Sequence, residues 1–389
     1  MLIEYFHNKQ KSIGEYPREL RLILNLEHSK VAFDEIKTWN GYARTPLYSL
    51  KKIASQVGVK SIYYKDESSR FELGSFKALG GTYGVLKFIH HALQKETGDK
   101  VSIKDIHQGK YAKQISKYTV TTATDGNHGR SVAFGAKLFG CKCQIYIHNE
   151  VSSGRQKAME DLEAEVNRVS GNYDESLQIC IKNADKNNWH VISDTSYEGY
   201  IKYPRYIMAG YNVMAEEIVD QIKDRPLPTH IFLQGGVGSF PGAICGYFWE
   251  KFPDNNIKFV VVESEHAPCL IRSAQNNQMT SVNIKQETMM AGLSCGEPSL
   301  LGWEILRSGT DDFITINDSS IPGLMRLLAK NNLKIEAGES SVAGLAGLIE
   351  SMEDQKIAKA MGLNKESIVL LFGTEGATDP EIYRSIISE

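Results

Sequence analysis

Short apolar runs alternate with longer stretches of helical spacing along most of this chain. Residues 62–64, 118–123, 143–147, 189–193, 230–234, 258–262 and 367–372 are rich in β-branched and aromatic side chains and read as strands. Between them, Lys77 through Val85, Leu86, Phe88 and Ile89 places its apolar residues on one helical face. Residues 50–57, 130–139, 153–166, 203–222, 321–329 and 339–350, with a stretch from about Gly242, also read as helices, and Pro204 marks the start of the 203–222 segment. Residues 1–40 are polar and weakly periodic, which predicts an outer arm, and residues 98–117 predict a loop or insertion. Strand and helix in alternation predict an α/β architecture with mostly parallel sheets. Ligands of such sheets sit beyond the carboxyl ends of strands, where the polar and glycine-rich clusters near residues 124, 194, 235 and 373 fall.

At 389 residues one large or two linked domains are expected. A net charge of -3 gives no reason to expect nucleic acid or an anionic membrane as partner. The first residues lack a basic segment followed by a long apolar run, and no stretch is apolar for long enough to span a bilayer, so a cytoplasmic protein is expected. Its six cysteines form no C-x-x-C pair, so no metal site is expected and reduced thiols are.

The chemistry centres on Lys77. Gly74 and Ser75 precede it, and Ser75 is placed to cap the helix. An ammonium in the first helical turn opposes the helix dipole, and the sequence neighbours Phe76, Ala78, Leu79, Gly80 and Gly81 offer no carboxylate. Both features favour the neutral, nucleophilic amine that condenses with an aldehyde. A second cluster, Gly235, Gly236, Val237, Gly238 and Ser239, lies between strand and helix, where backbone N–H groups form an anion nest. On that cluster alone a single phosphate and a dinucleotide both fit, because Gly236, Gly238 and Gly242 with Glu263 approximate a dinucleotide-binding turn. A third cluster, Thr124-Asp-Gly-Asn-His-Gly129, supplies Asn127 as a polar contact and amides for a carboxylate. Asp125 and Asp194 each follow a strand and are candidate bases.

Ser-Phe-Lys77, Asp-Gly-Asn127-His-Gly and the 235–239 turn together resemble the tryptophan-synthase-β-like family of fold type II enzymes. Within it the pattern is most similar to the diaminopropionate ammonia-lyases. Lys65-Asp-Glu-Ser68, Arg70-Phe71, Asp194-Thr195, Glu198-Gly-Tyr200, Cys295-Gly-Glu-Pro298, Gly338-Glu-Ser340 and Thr374-Glu-Gly376 carry that likeness. The resemblance implies two α/β domains with the cofactor, pyridoxal 5'-phosphate, between them. The expected division is a large domain of residues 1–81 and 202–389 with residues 82–201 inserted. It implies a homodimer and a small amino-acid substrate, 2,3-diaminopropionate, eliminated to pyruvate and ammonia. By that likeness Lys77 holds the cofactor beside Phe76, Asn127 bonds its ring hydroxyl, and residues 235–239 cradle its phosphate. Glu339, Gly373 and Thr374 complete the cofactor site, with Gly373 and Thr374 near the ring nitrogen. Asp125 acts as base toward the D-isomer, and Asp194 recognises the distal amine. Thr124, Gly126 and His128 join these aspartates around the substrate, and Cys269 and Cys295 fall near the site entrance. A serine or threonine dehydratase, a β-replacement synthase, a dinucleotide-dependent oxidoreductase and a non-catalytic binding relative are the other readings.

Overall fold

A computed structural model describes residues 2–124, 126–171 and 173–388, apart from the side chains of Leu2, Ile3 and Asp174. Its strands are β1 (Leu2–His7), β2 (Leu47–Ser49), β3 (Ser61–Asp66), β4 (Thr119–Ala123), β5 (Lys142–Ile147), β6 (Glu165–Arg168), β7 (His190–Val191), β8 (His230–Gln234), β9 (Lys258–Ser264), β10 (Asp312–Ile316) and β11 (Ile368–Gly373). The chain divides into two compact units. One holds the chain through Phe76, the segment Thr195–Gly199 and everything from Tyr211 onward; the other holds Lys77–Asp194 and Tyr200–Gly210. The sequence-based division after residue 81 would cut the helix Lys77–Thr97, which is continuous.

The larger unit is built on a seven-stranded sheet in the order β1-β10-β9-β8-β11-β3-β2. Its central strands are parallel, and only β1 and β2 at the two edges run antiparallel to their neighbours. Side chains on both faces of β8, β9 and β11 are buried, which is why these strands read as continuous apolar runs rather than alternating ones. Phe232, Val260, Val262, Ile314, Val369 and Leu371 form the centre of the core. The parallel register brings the carboxyl ends of β3, β8 and β11 to one edge, with Gly373 opposite Asp66.

The smaller unit has a four-stranded parallel sheet, β6-β5-β4-β7. Against it lie the helices Lys77–Thr97 and Asn127–Phe139. They approach through glycines: a Cβ at Gly81 would lie 1.9 Å from Ser131 Oγ, and one at Gly135 would lie 3.0 Å from Thr82 Cα. The Thr82 hydroxyl donates to the Ser131 carbonyl at 2.9 Å across this contact.

Several elements differ from the sequence expectation. The polar start of the chain supplies β1, an edge strand whose Tyr5 and His7 bond the buried Asp312. Residues 153–166 form a helix only to Glu160 and then strand β6. The 203–222 helix is divided at Asn212, a buried residue whose amide donates to Ser29 Oγ at 2.9 Å. Residues 98–117 contain two short helices, Ile103–His107 and Ala112–Ile115. For β1, β6 and the break at Asn212, contacts distant in sequence decide what the local pattern leaves open.

Candidate active site

The loop that leads to Lys77 is fixed by a buried ionic network in the larger unit. Arg70 donates to both oxygens of Glu67 (2.7 and 2.9 Å) and both oxygens of Glu217 (2.9 and 2.9 Å). Lys65 Nζ lies 2.6 Å from Glu217, and the side chains of Lys65, Glu67, Arg70 and Glu217 are fully buried. Burial alone would raise the Glu217 pKa; Arg70 and Lys65 overcome it and hold the carboxyl below its ordinary range. Phe71 and Glu72 adopt positive φ next to Arg70, a costly conformation that the network secures. The loop then passes Gly74 (φ 69°), and the Ser75 backbone forms an isolated antiparallel bridge with Glu375. The Phe76 N–H donates to the Thr374 carbonyl at 3.0 Å, and its ring packs on Tyr211 and Phe240. The helix begins at the next residue, Lys77.

In the smaller unit the Lys77 amine is ion-paired with the Asp194 carboxylate. The carboxylate absent from its sequence neighbours therefore comes from a residue far along the chain. This corrects the expectation of an amine kept neutral by an acid-free setting, because an adjacent carboxylate favours the ammonium. His128 Nδ1 lies 3.8 Å from the same carboxylate, and His128 Nε2 is 2.8 Å from the Ile192 carbonyl. Burial would raise the Asp194 pKa, but His128 and Lys77 together keep it well below the ordinary carboxylate range. Thr124 Oγ1 accepts from the N–H groups of Gly126 and Gly129 at 3.1 Å each, so it shapes the turn that opens the helix Asn127–Phe139. A Cβ at Gly129 would lie 2.4 Å from Thr124 Cγ2. Asn127 is the first residue of that helix. Asp125 lies outside the described residues.

Burial lowers the His128 pKa despite the nearby Asp194. The unfolded imidazole takes a proton near pH 6.5 and the folded one does so only at lower pH. The unfolded state thus binds more protons in that window, and stability contributed by neutral His128 is lost as pH falls below about 6.5. We expect the His128 ring signals in a proton NMR titration to stay in the neutral form through about pH 6.5; a midpoint at or above that value would contradict the buried, carbonyl-bonded ring.

Back in the larger unit, the turn at residues 235–239 follows β8 and opens the helix Ser239–Lys251. Gly238 has φ 97°, and a Cβ at Gly236 would lie 3.0 Å from the Gly292 carbonyl oxygen and 3.3 Å from Cys295 Sγ. The Cys269 thiol donates to the Gly236 carbonyl at 3.5 Å, and no disulfide joins the described cysteines. Gln234, which sequence reasoning treats only as a strand residue, ties the edge together. Its amide donates to the carbonyls of Ser340 (3.1 Å) and Phe372 (2.8 Å) and to Thr374 Oγ1 (3.1 Å). A Cβ at Gly373 would lie 2.5 Å from the Tyr64 ring, so no side chain fits there, whereas Thr374 carries a buried hydroxyl with its own proton to donate. Glu339 is buried at the start of the short helix Glu339–Val342, and Ser340 N–H donates to Glu375 at 3.1 Å.

Glu263 does not fill the ribose-binding role of the dinucleotide reading. Both its oxygens accept backbone N–H groups, from Leu270 and Ile271 at 2.7 Å each, and the residue is fully buried. Burial pushes its pKa up to about 8 against those two bonds. The residues do fit a phosphorylated aldehyde. In the larger unit, glycines 235, 236 and 238 bare their amides before a helix N-terminus, which suits a phosphate, and Ser340 Oγ is buried with no hydrogen-bond partner. The smaller unit, taken by itself, carries the Lys77 amine, which suits an aldehyde.

Comparison with known proteins agrees with that fit. The family model described as pyridoxal-phosphate dependent enzyme matches residues 38–373. Diaminopropionate ammonia-lyase of Escherichia coli K12 is 37% identical over 372 residues, covering 93% of this chain and 89% of the relative. The Salmonella typhimurium protein of that name is 36% identical over 398 aligned positions, covering 99% of this chain and 98% of its own. The crystal structure of the Escherichia coli protein in complex with an aminoacrylate-PLP azomethine reaction intermediate superposes with a TM-score of 0.88 at 35% identity. That match covers 100% of this chain and 97% of that one.

Proposed function

From the premise that this chain belongs to the pyridoxal-phosphate dependent enzyme family, we infer that it eliminates ammonia from 2,3-diaminopropionate. The likeness to diaminopropionate ammonia-lyases over nearly the whole chain supports the substrate. The observation that carries the chemistry is the Lys77–Asp194 ion pair with His128 Nδ1 3.8 Å from the same carboxylate.

Pyridoxal 5'-phosphate supplies an electron sink for the charge left at Cα when its proton departs. The chain's own residues do the rest. The Lys77 amine would hold the cofactor through its aldehyde. The N–H groups of residues 235–239 would bind its phosphate. The Thr374 hydroxyl, which accepts from Gln234, would serve the ring as a neutral donor, and Asn127 would supply a further polar contact. Asp194, anionic across the working pH range, attracts the distal ammonium of the substrate. Asp125 is assigned as the base toward the D-isomer, with Lys77 or an aspartate serving the L-isomer. The Cα–H and Cβ–N bonds break, the β-amine leaves with a proton, and hydrolysis of the released enamine gives pyruvate and a second ammonia. The proposed compartment is the cytoplasm and the proposed assembly a homodimer; among the described residues no helix is long and apolar enough to cross a membrane.

The test is turnover by the cofactor-loaded protein of each diaminopropionate isomer beside D- and L-serine. We expect two ammonia per pyruvate from diaminopropionate, and kcat/KM for serine lower by at least about 10-fold, because a neutral hydroxyl forgoes the charge-assisted contact to Asp194. Faster turnover of serine would make the chain a dehydratase of the same fold.

A further inference from the structure

Strand β7 is two residues long and forms an edge of its sheet. Its pairing with β4 ends at the bond from Ile192 N–H to the Thr121 carbonyl, 2.9 Å. Backbone groups beyond that bond need other partners. Tyr200 supplies them: its hydroxyl accepts the Ser193 N–H at 3.0 Å and donates to the Val191 carbonyl at 2.9 Å. His128 Nε2 engages the Ile192 carbonyl lying between. The three residues before Asp194 are thus held by one phenol and one imidazole. An aspartate side chain is short, so its backbone decides where the carboxylate stands.

We propose that Tyr200 is a positioning residue for this reaction: bridging Val191 and Ser193, it fixes the backbone from which Asp194 meets the Lys77 amine. The inference rests on the function proposed above. Tyr200 acts through Asp194 and not on substrate. The segment between the two is anchored as well, since Ser196 Oγ lies 2.7 Å from Ser299 Oγ and accepts the Leu301 N–H at 2.8 Å. A restraint lost at the phenol would therefore be felt mainly at residues 191–194. The Tyr200 ring also packs near Tyr203, with centroids 6.4 Å apart, and a phenylalanine preserves that packing while deleting both hydrogen bonds.

The experiment compares Tyr200→Phe with the parent and with Tyr203→Phe, which changes a neighbouring phenol that does not touch this backbone. Turnover is normalised to bound cofactor, and amide hydrogen exchange is followed with and without cofactor. For Tyr200→Phe we expect kcat for diaminopropionate to fall about 10- to 100-fold with KM within about 3-fold, since a displacement near 1 Å is enough for such a loss. Exchange at residues 191–194 should quicken at least about 5-fold in both states, roughly the effect of losing one hydrogen bond. Tyr203→Phe should match the parent in both measurements. Unchanged kcat in Tyr200→Phe, or a loss shared equally by Tyr203→Phe, overturns the inference. A loss that comes only with reduced cofactor loading overturns it too, because that is a general folding defect. If the parent itself does not turn over diaminopropionate, the functional reading falls instead, and the exchange data alone decide whether Tyr200 pins the segment.

Discussion

Lys77→Ala should abolish turnover of diaminopropionate, with kcat reduced at least about 10⁴-fold, because the amine proposed to bind the aldehyde is also proposed among the groups able to move the Cα proton. The ion pair with Asp194 makes a second variant decisive. Lys77→Arg keeps a cation opposite that carboxylate but supplies no amine for condensation. We expect it to be as inactive as Lys77→Ala. Recovery of substantial activity in the arginine variant would show that the lysine acts only as a charge. Borohydride reduction followed by peptide mapping should label the parent at residue 77 and neither variant. Both variants should still bind cofactor weakly and without a covalent link, since the 235–239 amides are untouched.

Arg70→Met should cost about 3–5 kcal/mol of stability in the larger unit. The arginine lies between two fully buried carboxylates, and its removal leaves Glu67 and Glu217 facing one another with Lys65 as their remaining buried cation. The loss should also reach the chemistry, because Arg70 secures the positive-φ residues Phe71 and Glu72 a few positions before Lys77. Denaturant unfolding of the cofactor-free protein, followed by a probe in the larger unit, measures the first effect. The double variant Arg70→Met with Glu217→Met tests its cause. Two well-packed apolar side chains in place of an ion pair should recover part of the loss, whereas independent contributions would simply add. Additive losses would mean that the network does not act as a unit.

Much of this was legible before any coordinates. The continuous apolar runs at 230–234, 258–262 and 367–372 mark strands buried on both faces, and they are β8, β9 and β11. The glycine turn before Ser239 marks a strand-to-helix junction, and the helix from Lys77 is visible from its apolar spacing. The dinucleotide alternative had to stay open at that stage. Whether Glu263 meets a ribose or two amides of its own chain depends on where the helix Cys269–Asn276 begins, and no local pattern fixes that.

The rest was settled by contacts distant in sequence. The partner of Lys77 is 117 residues away, Arg70 finds Glu217 at a separation of 147, and Gln234 reaches Thr374 across 140. Local composition determined which residues have the right chemistry: an amine, bare amides, carboxylates at strand ends. Which of them meet depended on strand order and register, because parallel strands bring together chain segments that share no sequence neighbourhood. For that reason the amine looked unaccompanied as a string of letters and stands beside a carboxylate once the chain is folded.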